Sequence, residues 1–161
     1  MKRALAVLFL LAAAQLQAAV YHGTVTHVTD GDTLWVRPAA GGAPVEIRLL
    51  DLDAPEGCQA FGAEATRALR QRLLHQRVRV RSTGTDDYQR QLARIEHRRT
   101  DIGAWLVQNG YAWSTRFRGR PGAYADLQDR ARAQRRGLWA QPGAMEPRTF
   151  RRRFGSCHEA R

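Results

Sequence analysis

Only two cysteines, Cys58 and Cys157, occur in the 161 residues. A small disulfide-dense scaffold is therefore excluded, and so is a metal centre built on several thiolates. Long hydrophobic runs are missing beyond residue 14, and a membrane-spanning helix needs roughly 20 apolar residues. Lysine is reduced to Lys2, so the positive charge is almost wholly arginine. Carboxylates are scarce, 15 against 26 basic residues, which leaves a formal net charge of +11. There is no internal repeat, no linker to a second domain and no βαβ alternation, which excludes a solenoid and a doubly wound parallel sheet. What is present suits one domain with a real core: 43% of residues are apolar, with four Trp and five Phe.

The first 18 residues read as a leader. Lys2 and Arg3 precede an unbroken apolar run of 11 residues, Ala4 to Ala14, and small residues follow at Ala18 and Ala19. This is the layout of a secretory signal peptide cleaved after Ala18, the alternative being a membrane anchor. Cleavage removes two cations and leaves +9 of the +11. An excess of that size favours a polyanionic partner, and the planar guanidinium fork matches phosphate. The expected product is secreted or periplasmic, monomeric and free of the membrane. In an oxidising compartment Cys58 and Cys157 can form a disulfide worth about 4–5 kcal/mol in the chain-entropy model. Two free thiols are the alternative.

Val20 to Val28, Thr33 to Arg37 and Val45 to Leu50 read as three short strands joined by turns. Phe61 to His75 carries Phe61, Ala65, Ala68, Leu69 and Leu73 at helical spacing. Arg77 to Ser82 and Leu92 to His97 alternate as two further strands. A second helix is expected over Ile102 to Asn109, with Asp101 as N-cap, Trp105 and Leu106 inward and Gly110 after its end. A third runs from Ala123 to Arg136 with Tyr124, Leu127 and Ala131 inward, and Leu138-Trp139 folds back onto the core. After Pro142 the chain turns polar and basic, and residues 141–161 read as a basic C-terminal tail. Five short strands with an inserted helix, three helices in all, fit a small closed barrel of the OB type, an α+β fold.

The stretch Ile47 to Glu56 concentrates the chemistry. An alternating strand delivers Arg48 and then an acidic turn with Asp51, Asp53 and Glu56, closed by Pro55. Asp30-Gly31-Asp32 lies upstream and Arg90 downstream. Phosphodiester hydrolysis puts negative charge on a five-coordinate phosphorus, and a site answers it with a hard cation, arginine forks and a base for water. Asp32 and Asp53 offer hard oxygen ligands, Glu56 can orient water, and Arg48 and Arg90 can fork onto phosphate. Each piece also has a plainer reading: Asp-Gly-Asp as a common turn, Arg48 as a solvated strand residue, Asp53-Ala54-Pro55-Glu56 as a helix start.

Taken together these motifs resemble the staphylococcal (thermonuclease) nuclease family. The resemblance runs through Asp30-Gly31-Asp32-Thr33, Arg48-Leu49-Leu50, Asp53-Ala54-Pro55-Glu56, Phe61-Gly62-Ala63-Glu64-Ala65, Asp87-Tyr88-Gln89-Arg90, Leu92-Ala93, Trp105-Leu106-Val107, Gly110-Tyr111-Ala112 and Arg136-Gly137-Leu138-Trp139. It covers residues 20 to 140, in order. It implies an OB-fold barrel with three helices and a calcium-dependent nuclease that cuts DNA and RNA, calcium being favoured over magnesium. By position it implies Asp32, Asp53 and the backbone carbonyl of Ala54 as metal ligands, Glu56 on the water, Arg48 and Arg90 on the phosphate, and Tyr88 on a substrate phosphate. Two positions depart from the pattern. Ala54 replaces a threonine where only a carbonyl is required. Gln89 replaces a glycine, and if that position needs a positive φ the cost is about 1 kcal/mol. The basic loop Arg116 to Arg120 does not reproduce the family's tyrosines, so the resemblance assigns no nucleoside contacts. A nucleic-acid-binding module with weak catalysis is the main alternative, and a binder of acidic cell-surface polymers a third.

Overall fold

The computed structural model describes residues 19–116 and 118–157. The expected leader, residues 1–18, lies outside the described residues. Among the described residues eight strands form: β1 Val20–Val28, β2 Thr33–Pro38, β3 Val45–Leu49, β4 Leu52–Asp53, β5 Arg77–Thr85, β6 Gln91–His97, β7 Thr100–Asp101 and β8 Trp113–Ser114. Four helices accompany them: α1 Gly62–Leu73, α2 Ile102–Gln108, α3 Ala125–Ala133 and α4 Pro147–Phe154, with a 3-10 turn at Gly137–Trp139.

The sheet runs β3-β2-β1-β5-β6-β7, and β3 also pairs with β6 in parallel, Ile47 opposite Gln91 and Leu49 opposite Ala93. That last ladder closes β1, β2, β3, β5 and β6 into the five-stranded barrel expected from the sequence. Closure demands sharp local twist. Bulges between Val25 and His27 on β1 and between Ser82 and Gly84 on β5 supply it.

The barrel interior is filled by the inward half of each alternation: Val25, Val28, Leu34, Val36, Ile47, Val78, Val80 and Ile95 are all at most 2% exposed. Leu69 and Leu73 of α1 and Ile102, Leu106 and Val107 of α2 complete the core. Each such side chain contributes about 1.5–3 kcal/mol by leaving water. On α2 the inward pair is Leu106 and Val107, while Trp105 is half-buried under the Arg72 guanidinium, 4.5 Å from the ring centroid. Asp101 caps α2 by accepting from the Ala104 N–H at 3.1 Å, and Gly110 follows at φ 71°.

Three helices are expected from the sequence, and four are present among the described residues. The additional one, α4, lies in the stretch that reads as a basic tail. Pro147 at its first turn supplies helical φ at no hydrogen-bonding cost, and Arg151, Arg152 and Arg153 in its last turn suit the dipole. Phe150 and Phe154 meet at 5.0 Å between ring centroids, one turn apart. Four of its eight residues are arginine, a composition that reads as a solvated tail and not as a packed helix.

Candidate active site

The acidic pocket is assembled by strand register. Thr33 of β2 pairs with Arg48 of β3, so the Arg48 side chain rises beside Asp32, the residue before β2. Asp32 is held from three directions. Its N–H donates to Asp30 Oδ1 at 3.0 Å, its carbonyl accepts from the Leu49 N–H at 2.9 Å, and its Oδ2 accepts from the Ala54 N–H at 2.7 Å. Gly31 is required for this approach, because a Cβ there would lie 2.7 Å from Ala54 Cβ and 2.9 Å from Ala65 Cβ.

Asp53 sits on β4, whose partner β8 places it opposite Trp113. Arg48 bridges the two acids: one Nη pairs with Asp32 Oδ1 and the other donates to Asp53 Oδ1 at 2.8 Å. Asp32 and Asp53 are 1% and 8% exposed, so this is a buried ion cluster. Burial pushes the Asp32 carboxyl up to about 8, with Asp30 and Asp53 adding to the rise; Arg48 and the Ala54 N–H pull the other way. Burial also works against the Arg48 charge, but Asp32 and Asp53 more than offset it and raise its pKa.

Glu56 follows in the turn after Pro55. Its N–H donates to Gln59 Oε1 at 3.2 Å and its carbonyl accepts from the Gln59 N–H at 2.8 Å. Helix α1 begins directly against this turn. A Cβ on Gly62 would lie 1.9 Å from the Glu56 carbonyl oxygen, so only glycine fits there.

Arg90 is placed differently. Its guanidinium pairs with Asp86 at 2.8 Å and lies 5.3 Å from the centroid of the Tyr88 ring, which is 80% exposed. Among the described residues no hydrogen bond or ion pair joins Arg90 or Tyr88 to the Asp32–Asp53–Glu56 group. Gln89, between them, has φ 65°, the left-handed conformation that a glycine takes without strain. Burial raises the Asp86 carboxyl, but hydrogen bonds from the Arg90 backbone and side chain and from the Tyr88 N–H outweigh it and hold Asp86 below the usual range. Asp51, the remaining acid of the stretch, has φ 67° and turns away to accept from Arg94 at 2.6 and 2.9 Å.

One residue of the pocket was not among the sequence candidates. Arg151 of α4 donates to Asp53 at 2.9 and 3.2 Å and to Glu56 Oε1 at 2.7 Å. A bond between Cys58 and Cys157 fixes the far end of this segment two positions beyond Glu56. Gln59 Nε2 holds its near end through the Met145 carbonyl at 2.6 Å. The signal lay in the spacing: a bridge from Cys58 to Cys157 brings the Arg151–Arg153 run to Glu56.

Among the described residues no three His, Cys, Asp or Glu side chains meet in a way that could hold a metal alone. Asp32 and Asp53, with the Ala54 backbone next in the chain, are nonetheless a hard oxygen set. Such a set fits magnesium or calcium with water completing the shell. Paired buried acids crossed by an arginine beside a closed five-stranded barrel supply groups that can act on a phosphodiester. The chain belongs to the staphylococcal nuclease homologue family, whose model matches residues 46–141. Among its relatives are a micrococcal nuclease of Shigella flexneri, 36% identical over 94% of this chain and 96% of its own length, and Protein ParB of Escherichia coli, 37% identical over 94% and 91%. An uncharacterized endonuclease of Haemophilus influenzae is 34% identical over 80% of this chain and 71% of its own.

Proposed function

We propose that this chain is an exported, sugar-non-specific nuclease that hydrolyses DNA and RNA with a bound calcium ion. The observation that carries the reading is Arg48 held between Asp32 and Asp53, two acids almost wholly removed from water. Burying that much charge in one place is costly, and desolvated, closely paired ionisable groups of this kind cluster at functional sites. The nuclease and endonuclease names of the relatives support the same chemistry.

In this reading Asp32, Asp53 and the Ala54 carbonyl would hold the ion, which when bound supplies positive charge to the phosphoryl group. Glu56, three positions beyond Asp53 in a turn pinned by Gln59, orients the attacking water and accepts its proton. Arg48 forks onto the non-bridging oxygens, where charge grows in the transition state. Arg90 reaches the phosphate by releasing Asp86, and exposed Tyr88 meets a neighbouring phosphate of the strand. The charge of +9 that remains once the leader is removed supplies a field that gathers polyanions without reading sequence. Export rests on the leader pattern of residues 1–18 and on the Cys58–Cys157 bond, which suits an oxidising compartment.

Incubation with plasmid and with RNA, in calcium and in chelator, tests the proposal. Cleavage of both in calcium alone is expected. Retained binding in a gel shift with no cleavage would favour the binding-module alternative.

A further inference from the structure

The segment beyond the family match ends on the acid cluster. Arg151 takes both oxygens of Asp53 and one of Glu56, while Arg48 takes Asp53 Oδ1 and Asp32 Oδ1. The two arginines have different supports. Arg48 is fixed in the closed barrel, between the β2 and β6 ladders. Arg151 stands on a two-turn helix held by the Cys58–Cys157 bond, the Gln59–Met145 hydrogen bond and its aromatic face. That face lies along a groove of about 540 Å³ lined by Pro55, Phe61, Leu138, Met145, Phe150 and Phe154, and Phe154 is still 66% exposed. Helix α4 is thus tethered at its end but only partly sealed against the barrel.

We propose that Arg151 is a built-in competitor of the divalent cation, so that α4 sets the affinity of the site for metal. The inference rests on the metal-dependent reading of Asp32 and Asp53 given above. A guanidinium and a divalent cation both seek the Asp53 oxygens, and two positive charges at that distance repel. The cation therefore binds as Arg151 withdraws, which also frees Glu56 Oε1 for water. The disulfide keeps the competitor close without contributing a charge of its own. Its loss lowers the effective concentration of Arg151 at the cluster.

Calorimetric titration of calcium into the purified protein, Arg151→Gln, Arg151→Lys and the Cys58→Ser/Cys157→Ser double variant provides the test, with circular dichroism as the fold control. Arg151→Gln is expected to bind calcium about fivefold tighter or more, a typical coupling between two ligands. The double serine variant moves in the same direction, and Arg151→Lys, which keeps the charge, stays near wild type. Equal or weaker binding by Arg151→Gln, with normal binding by the wild type, overturns the competition and leaves the metal site standing. Tightening by Arg151→Lys equal to that of Arg151→Gln overturns a role for charge. Absence of binding in every variant, wild type included, overturns the metal site itself and the competition with it.

Discussion

Arg151 and Asp53 stand 98 positions apart, yet the two Nη atoms of one meet the two oxygens of the other, at 3.2 and 2.9 Å. The same Asp53 accepts from Arg48 at 2.8 Å. One carboxylate is therefore shared by an arginine of the barrel and an arginine of the C-terminal helix. Its surroundings are tuned by parts of the chain with separate supports.

Glu56→Ala and Arg48→Ala each remove a group assigned to the transition state. Each is expected to lower kcat/KM on DNA by about 10²–10⁴-fold, the range for a general base or a charge-stabilising donor. Steady-state kinetics on a short oligonucleotide, with circular dichroism to show retained fold, would check it. A folded Glu56→Ala variant with full activity removes Glu56 from the mechanism.

Gln89 holds φ 65° between Tyr88 and Arg90. Left-handed backbone costs a residue with a Cβ about 1–2 kcal/mol, partly offset by the greater unfolded-state entropy of glycine. Gln89→Gly should thus stabilise the protein by up to about 1 kcal/mol, read from the midpoint of denaturant unfolding. A loss of stability would show that the loop is not strained there.

Gly62 lets α1 start against the turn that carries Glu56. Gly62→Ala should displace that turn, costing about 1–3 kcal/mol of stability as overpacking does, and should lower kcat along with it. Thermal unfolding and kinetics on the same preparation decide. An unchanged kcat would separate the α1 start from Glu56 placement.

Asp86 is held below the usual carboxylate range by Arg90 and Tyr88. A depressed folded-state pKa means the clasp contributes in full above the unfolded value of about 3.9 and is lost as pH falls through the lower folded value. An NMR titration of the Asp86 carboxyl should show that lower midpoint, with the Tyr88 and Arg90 amides moving together. A midpoint at or above 3.9 would contradict the clasp.

Much of this architecture is written locally. The alternation of Val45, Ile47 and Leu49 and the helical spacing of Ala65, Leu69 and Leu73 announce their elements, because one face of each must be buried. The ladder that closes the barrel is a different matter: β3 meeting β6 is a long-range pairing with no local signature. For the site, the candidates Asp32, Arg48, Asp53 and Glu56 converge. Arg90 was grouped with them but is turned to Asp86, a partner that spacing alone does not reveal. Arg151 was hidden for the opposite reason. A run of three arginines at a chain end reads as solvated charge until the Cys58–Cys157 bond folds it back.

The most direct measurement is the cleavage rate of a defined single-stranded DNA oligonucleotide as calcium is titrated, for the wild type and Asp53→Asn. The proposed calcium-dependent hydrolysis predicts a saturable, calcium-dependent rate that chelator abolishes and that Asp53→Asn lowers by about 10²-fold or more. A rate independent of calcium, or a folded Asp53→Asn variant that cuts as fast as the wild type, would contradict it.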